Sequence, residues 1–177
     1  MAHKQQQDFI ASIKHKFPEF FKSQQVLEIG SLNINGSVRV FFENCNYIGV
    51  DVGSGPDVDV IAQGQDLTYD DGMFDVVIST EVFEHTPHWR EIFLNMSRMT
   101  RPAGLVIFTC ASTGRREHGT RRTTPHDAPL LQTDYYKNLT RDDFLSCCDI
   151  DHMFETHDFA YNDQSHDLYF YGIRKQQ

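Results

Sequence analysis

The sequence predicts an α/β fold: a doubly wound, mostly parallel sheet that ends in an antiparallel hairpin. Three observations predict it. Five short runs, Val26–Ile29, Tyr47–Val50, Val58–Ile61, Phe74–Ser79 and Leu105–Cys110, are dominated by β-branched and aromatic residues, and several lack in/out alternation. Such runs fit strands covered on both faces. Segments with helical spacing cover and separate them. Two further aromatic-rich runs, 153–161 and 167–173, are divided by only a few turn-type residues, including Asn162, Asp163 and Ser165. No crossover helix fits in that gap, so these two must pair antiparallel.

The elements follow in order. Phe9, Ile10, Ile13, Phe17, Phe20 and Phe21 recur at helical spacing over residues 6–21, with Pro18 interrupting the helix or opening a second turn. Between the fourth and fifth runs, Thr86 is placed as an N-cap and Pro87 as the first helical residue. Trp89, Ile92, Phe93, Met96 and Met99 mark the inward face, and Pro102-Ala-Gly104 closes that helix. A later helix starts at Thr140, with Asp143 as its capping-box partner and Phe144, Leu145 and Cys148 facing inward.

With 177 residues, 40% hydrophobic and 23% charged, the chain is expected to form one globular domain. No stretch has the polar-apolar pattern of a leader peptide or the length of a membrane span. The four cysteines form no C-x-x-C pair. Reduced thiols and a cytoplasmic location are the expectation. The net charge of −9 argues against broad nucleic-acid binding, because a phosphate backbone is repelled by an acidic surface.

The chemistry concentrates at the ends of the runs. The first ends in Glu28-Ile-Gly30-Ser31, continuing through Asn33 to Gly36; Gly30 allows a sharp turn and a close backbone approach to a ligand. The second ends at Asp51, followed by Val52, and a carboxylate there can accept both hydroxyl protons of a ribose. The third leads to Asp66-Leu67, where an acid can receive an adenine amino group and Leu67 can pack on the ring. The fourth ends at Thr80-Glu81. In a parallel sheet all four tips open on one edge.

The segments VLEIGSLNINGSVR, YIGVDVGSGPDVDV, FDVVISTEVFEH and RPAGLVIFTCAS together resemble the class I methyltransferases that use S-adenosyl-L-methionine. The resemblance is to the small-molecule, methyltransferase-type-11-like branch whose first motif reads EIGS…NGS. It covers roughly residues 25–148 and implies a Rossmann-like fold. It also implies Glu28, Gly30 and Ser31 at the methionine end of the cofactor, Asp51 at the ribose, Asp66 and Leu67 at the adenine, and Thr80 near the sulfonium. The sequence departs from the family's G-x-G, its glycines at 30 and 36 standing six apart. On this reading residues 1–24 are a helical cover, 25–111 the cofactor-binding half, and 112–177 the acceptor-side loop, helix and hairpin.

About 17 residues without periodicity follow the fifth run. They hold Arg115, Arg116, His118, Arg121, Arg122 and His126, with Tyr135, Tyr136 and Asn138 just beyond. Long loops of this kind are often functional, and this one is expected to bind a polar or anionic acceptor through its arginines and tyrosines. A solvated loop paired with the acidic surface is the alternative. His85, His118 and His126 are the candidate bases for an acceptor hydroxyl.

No metal site is expected. No H-E-x-x-H or Cys/His zinc spacing appears, and His152 and His157, if both lay on a strand, would point to opposite faces. The expected activity is methyl transfer to an O or N atom of a small polar metabolite, with a sugar or nucleotide-linked sugar as leading candidate. A nucleic-acid-end or nucleotide methyltransferase and a non-catalytic binding module are the alternatives. No membrane partner is expected, and a second copy of the chain is a candidate wall for the acceptor pocket.

Overall fold

The computed structural model describes residues 3–131 and 133–176. One seven-stranded sheet forms its centre, in the order β3-β2-β1-β4-β5-β7-β6. Strands β1 (Gln25–Ile29), β2 (Asn46–Asp51), β3 (Val60–Ile61), β4 (Phe74–Thr80) and β5 (Thr100–Ala111) run parallel. β6 (Phe154–Asn162) and β7 (Asp167–Arg174) form the expected hairpin, and β7 docks antiparallel on β5.

Each central strand splits its side chains between two apolar layers. Leu27, Ile29, Val77, Val106 and Phe108 point to one, which is capped by helix α2 (Trp89–Met99), α3 (Arg141–Cys147) and the single turn α4 (Ile150–Met153). Val26, Val76, Ile78, Leu105 and Ile107 point to the other, covered by α1 (Lys4–Lys16) and by the 3-10 turns Pro18–Phe21 and Val38–Phe41. The continuous apolar runs thus reflect burial on both faces.

The local signals resolve unevenly. Pro18 ends the first helix and opens the 3-10 turn, and Thr140 with Asp143 forms both halves of a capping box. Helix α2 begins two residues later than Thr86-Pro87 suggests. His88 occupies its N-cap, and the Thr86 hydroxyl accepts the His88 N–H at 3.1 Å. That helix also stops earlier than Pro102-Ala-Gly104 suggests. The Thr100 hydroxyl caps the Met96 carbonyl at 2.8 Å, and the chain enters β5 at once. Pro102 to Gly104 instead form an irregularity inside β5, with Ala103 at a φ of 56° and a register shift opposite Phe74 and Val76. Leu145 points outward at 42% exposure, while Phe144 is buried in the core and Cys147 and Cys148 pack against it, as expected for Cys148. His152 lies in α4 and is exposed, so it shares no strand with His157, which pairs with Asp151 at 2.8 Å. Only the 3-10 turn Val38–Phe41 stands between β1 and β2.

Candidate active site

The carboxyl ends of β1, β2 and β4 open on a cavity of about 280 Å³. Its floor is Gly30, Asp51 and Thr80. Gly30 has a φ of 84°, and a Cβ there would lie 2.0 Å from Cγ2 of Val82. Only glycine satisfies both the left-handed backbone and the close approach of that wall. The Gly30 and Ser31 N–H groups both donate to the Val50 carbonyl, at 2.8 and 3.1 Å, which folds the turn back over β2.

Asp51 is fixed before any ligand arrives. One carboxylate oxygen accepts the Leu32 N–H at 3.0 Å and the other the Val52 N–H at 2.7 Å. Burial raises its pKa against these two hydrogen bonds. Each oxygen keeps acceptor capacity toward the cavity, which Val52 also lines. Asn33 holds the glycine-containing loop in shape: its amide donates to Asp57 and its carbonyl accepts the Gly36 N–H, both at 2.9 Å.

A small polar recess adjoins the main cavity, lined by Glu28, Gly30, Ser31, Gly36 and Thr80 among others. Glu28 accepts the Tyr47 hydroxyl at 2.9 Å, and burial lifts its pKa to about 7. The Ser31 hydroxyl is buried with no partner, so it is free to bond an incoming group. At the tip of β4, Glu81 takes a φ of 56° and turns inward, accepting the Thr109 hydroxyl at 2.8 Å while still bordering the cavity.

Other expected positions fall elsewhere. Asp66 is exposed and Leu67 belongs to the α2-side core, so neither lines the cavity. The 3-10 turn Gly64–Asp66 carries the chain past the opening, and Gln63, Gly64 and Gln65 with Ala62 form that wall instead. The long loop does cover the cavity, but through Asp127, Ala128, Pro129, Leu130, Leu131 and Thr133. Three of its four arginines pair with the protein itself. Arg115 donates to the Ser165 carbonyl at 2.6 Å and lies 3.6 Å from Asp167. Arg122 pairs with Glu117 at 2.8 Å, Arg121 lies 3.9 Å from Asp134, and Arg116 is exposed. Tyr135, Tyr136 and Asn138 stand behind the lining residues; the Asn138 amide holds the Arg115 carbonyl at 2.9 Å. The expected cationic pocket is therefore not formed. The carboxylates of Asp51, Glu81 and Asp127 line the cavity, and among the described residues no Lys or Arg does.

Of the three histidines, His85 borders the cavity. Burial, followed by the nearby His118, lowers its pKa to about 3. His118 sits behind it, ring centroids 5.0 Å apart. His126 is 80% exposed and does not reach the cavity. Sequence reasoning missed Gln63, Gln65, His88, Asp127 and Leu130. The first two could have been found from their place just past the third strand; the rest depend on how the loop folds.

Strand order, the reversed β7 and a cavity at the parallel strand tips define the class I methyltransferase fold. Comparison with known proteins agrees. Residues 34–108 match the family model described as a methyltransferase domain. Among solved structures, the chain is similar to a Haemonchus contortus phosphoethanolamine N-methyltransferase bound to phosphomonomethylethanolamine and S-adenosylhomocysteine. That match has a TM-score of 0.66 at 14% identity, covering 96% of this chain and 53% of the other. It is also similar to the CurJ carbon methyltransferase (0.66, 15%, 96% and 54%). A third is a Burkholderia thailandensis 1,6-didemethyltoxoflavin N1-methyltransferase with 1,6-didemethyltoxoflavin and S-adenosylhomocysteine bound (0.66, 13%, 96% and 78%). The chain spans about half the length of the first two. No curated protein sequence matches it. No helix among the described residues is long and apolar enough to cross a membrane.

Proposed function

We propose that this chain is an S-adenosylmethionine-dependent methyltransferase acting on an O or N atom of a small, uncharged or amine-bearing acceptor. The observation that carries the reading is the Asp51 carboxylate, held by two backbone N–H groups at the tip of β2 and facing a cavity opened by Gly30. A ribose diol fits such a carboxylate, and a 2′-phosphate would be repelled by it. The polar recess at Glu28 and Ser31 suits an amino-acid end, and the wall of Ala62 to Gln65 suits an adenine. The three lining carboxylates favour a sulfonium cation and leave no partner for an anionic acceptor.

When bound, S-adenosylmethionine would supply an electrophilic methyl group, with its sulfur as the leaving group, for an acceptor lone pair, and Asp51, Glu28 and Ser31 would hold it. The residues of this chain align the partners and exclude water. Ile34, Val82, Pro87, Pro129 and Leu130 provide the apolar walls for that exclusion. His85 is neutral at working pH but too weak a base at a pKa of about 3 to hold a proton well. It therefore contributes a neutral, buried imidazole to the cavity wall rather than a general base.

The test is calorimetry and thermal shift. S-adenosylmethionine and S-adenosylhomocysteine should raise the melting temperature, and NAD should not. Folded Asp51→Ala should bind S-adenosylhomocysteine at least tenfold more weakly. Equal affinity in wild type and variant refutes the ribose assignment.

A further inference from the structure

Behind the cavity wall, three ligand-type side chains from two segments converge. Glu84 and His85 lie in the 3-10 turn Phe83–His85 just after β4, and His118 comes from the long loop. One donor atom from each lies within 4.8 Å of the other two. The Nε2 of His85 stands 4.0 Å from Oε1 of Glu84. Glu84 is fully buried, and neither of its carboxylate oxygens has a hydrogen-bond partner. A buried, unpartnered carboxylate is costly and calls for a compensating group.

The histidines are prepared as a ligand pair. Nδ1 of His118 lies 3.2 Å from the Arg116 carbonyl oxygen, which can only accept, an arrangement that suits the Nδ1-protonated ring. Its Nε2 is then a bare lone pair, buried and without a partner. The Tyr136 hydroxyl, 3.0 Å from the same Nδ1 and 3.2 Å from the same carbonyl, fixes the ring further. A backbone carbonyl on the far nitrogen is the arrangement that orients metal-binding histidines.

We infer that Glu84, His85 and His118 form a binding site for a divalent ion of the zinc class. Two imidazoles and one carboxylate suit Zn²⁺ or another late first-row divalent ion, with a further position left open. His85 borders the cavity, so the ion would stand in the wall past which an acceptor enters. A second grouping, His3, Glu81 and Asp167, is explained without an ion, since Asp167 lies between His3 at 2.9 Å and Arg115 at 3.6 Å. No sequence spacing marks this site, because its third ligand is more than thirty positions away in a loop of no fixed spacing.

The site stands on these three residues and is tested without any adenosyl ligand. Chelator-stripped full-length protein is titrated with Zn²⁺ in competition with a chromophoric chelator, and with Co²⁺ followed by visible absorption. One equivalent should bind, with an intensified Co²⁺ band. Folded His118→Ala and Glu84→Gln should each bind at least tenfold more weakly, while His152→Ala, an exposed control, should match wild type. A wild type that binds no ion, or folded variants that bind as tightly as wild type, overturns the assignment. Should neither variant fold, the Co²⁺ spectrum of wild type decides: the spectrum of the hydrated ion refutes the site.

Discussion

Replacing Glu28 by Gln should stabilise the protein near neutral pH and remove part of its pH dependence. The Glu28 carboxyl is buried under the sheet tip, with the Tyr47 hydroxyl donating to it at 2.9 Å. Burial lifts its pKa from 4.5 to about 7, and the Tyr47 hydrogen bond offsets only part of that rise. The folded state therefore holds this proton more tightly than the unfolded state. Its contribution is fully present below pH 4.5 and is lost as pH rises to about 7. At about 1.4 kcal/mol per pH unit, the loss is on the order of 3 kcal/mol. The amide of Gln accepts the same hydroxyl and cannot ionise. Urea denaturation of both proteins, from about pH 5 to pH 8, isolates the effect, because every other titrating group is common to the pair. The stability gap in favour of the variant should widen through that range and level off above neutrality. Parallel curves would mean that Glu28 is not buried as described.

Two further changes probe the cavity. Gly30→Ala forces a Cβ into a left-handed backbone and against Val82. It should lower the melting temperature by several degrees and weaken S-adenosylhomocysteine binding, with Val82→Ala restoring only part of the loss; an unaffected variant would show that the turn has another path. Arg121→Ala with Arg122→Ala removes two exposed cations that pair with Asp134 and Glu117 and do not reach the cavity. Ligand affinity should be unchanged and turnover, once an acceptor is found, should stay within about twofold, as befits exposed ion pairs; a tenfold fall in turnover would restore the anionic-acceptor reading.

What the sequence discloses follows from where each signal is written. The runs at Val26, Phe74 and Leu105 declare strands because burial on both faces removes alternation, and that pattern is local. The capping box at Thr140 is equally local and appears as expected. Gly30, Asp51 and Thr80 come together because parallel strands bring their carboxyl ends to one edge. The arginines of the long loop are another matter. Their partners at Ser165, Asp167 and Asp134 are set by tertiary packing, so a cationic tract in sequence became a set of internal ties. Asp66 lies away from the cavity for a similar reason: a single 3-10 turn leaves it exposed and brings Gln63 and Gln65 to the opening. Glu84 and His118 carry no joint pattern at all until the loop folds over the turn.

Strand β7 sits between β5 and β6, although it is the last strand in chain order. Ala111 pairs with Asp167 and Leu105 with Ile173, partners roughly 60 positions apart. During synthesis, the edge of β5 therefore waits, unpaired and apolar, until the final strand leaves the ribosome. Long-range pairing of this kind is slow and leaves nascent chains prone to clumping. Stop codons placed even slightly upstream of Asp167 should yield insoluble product, measured as the fraction pelleted from a cell lysate.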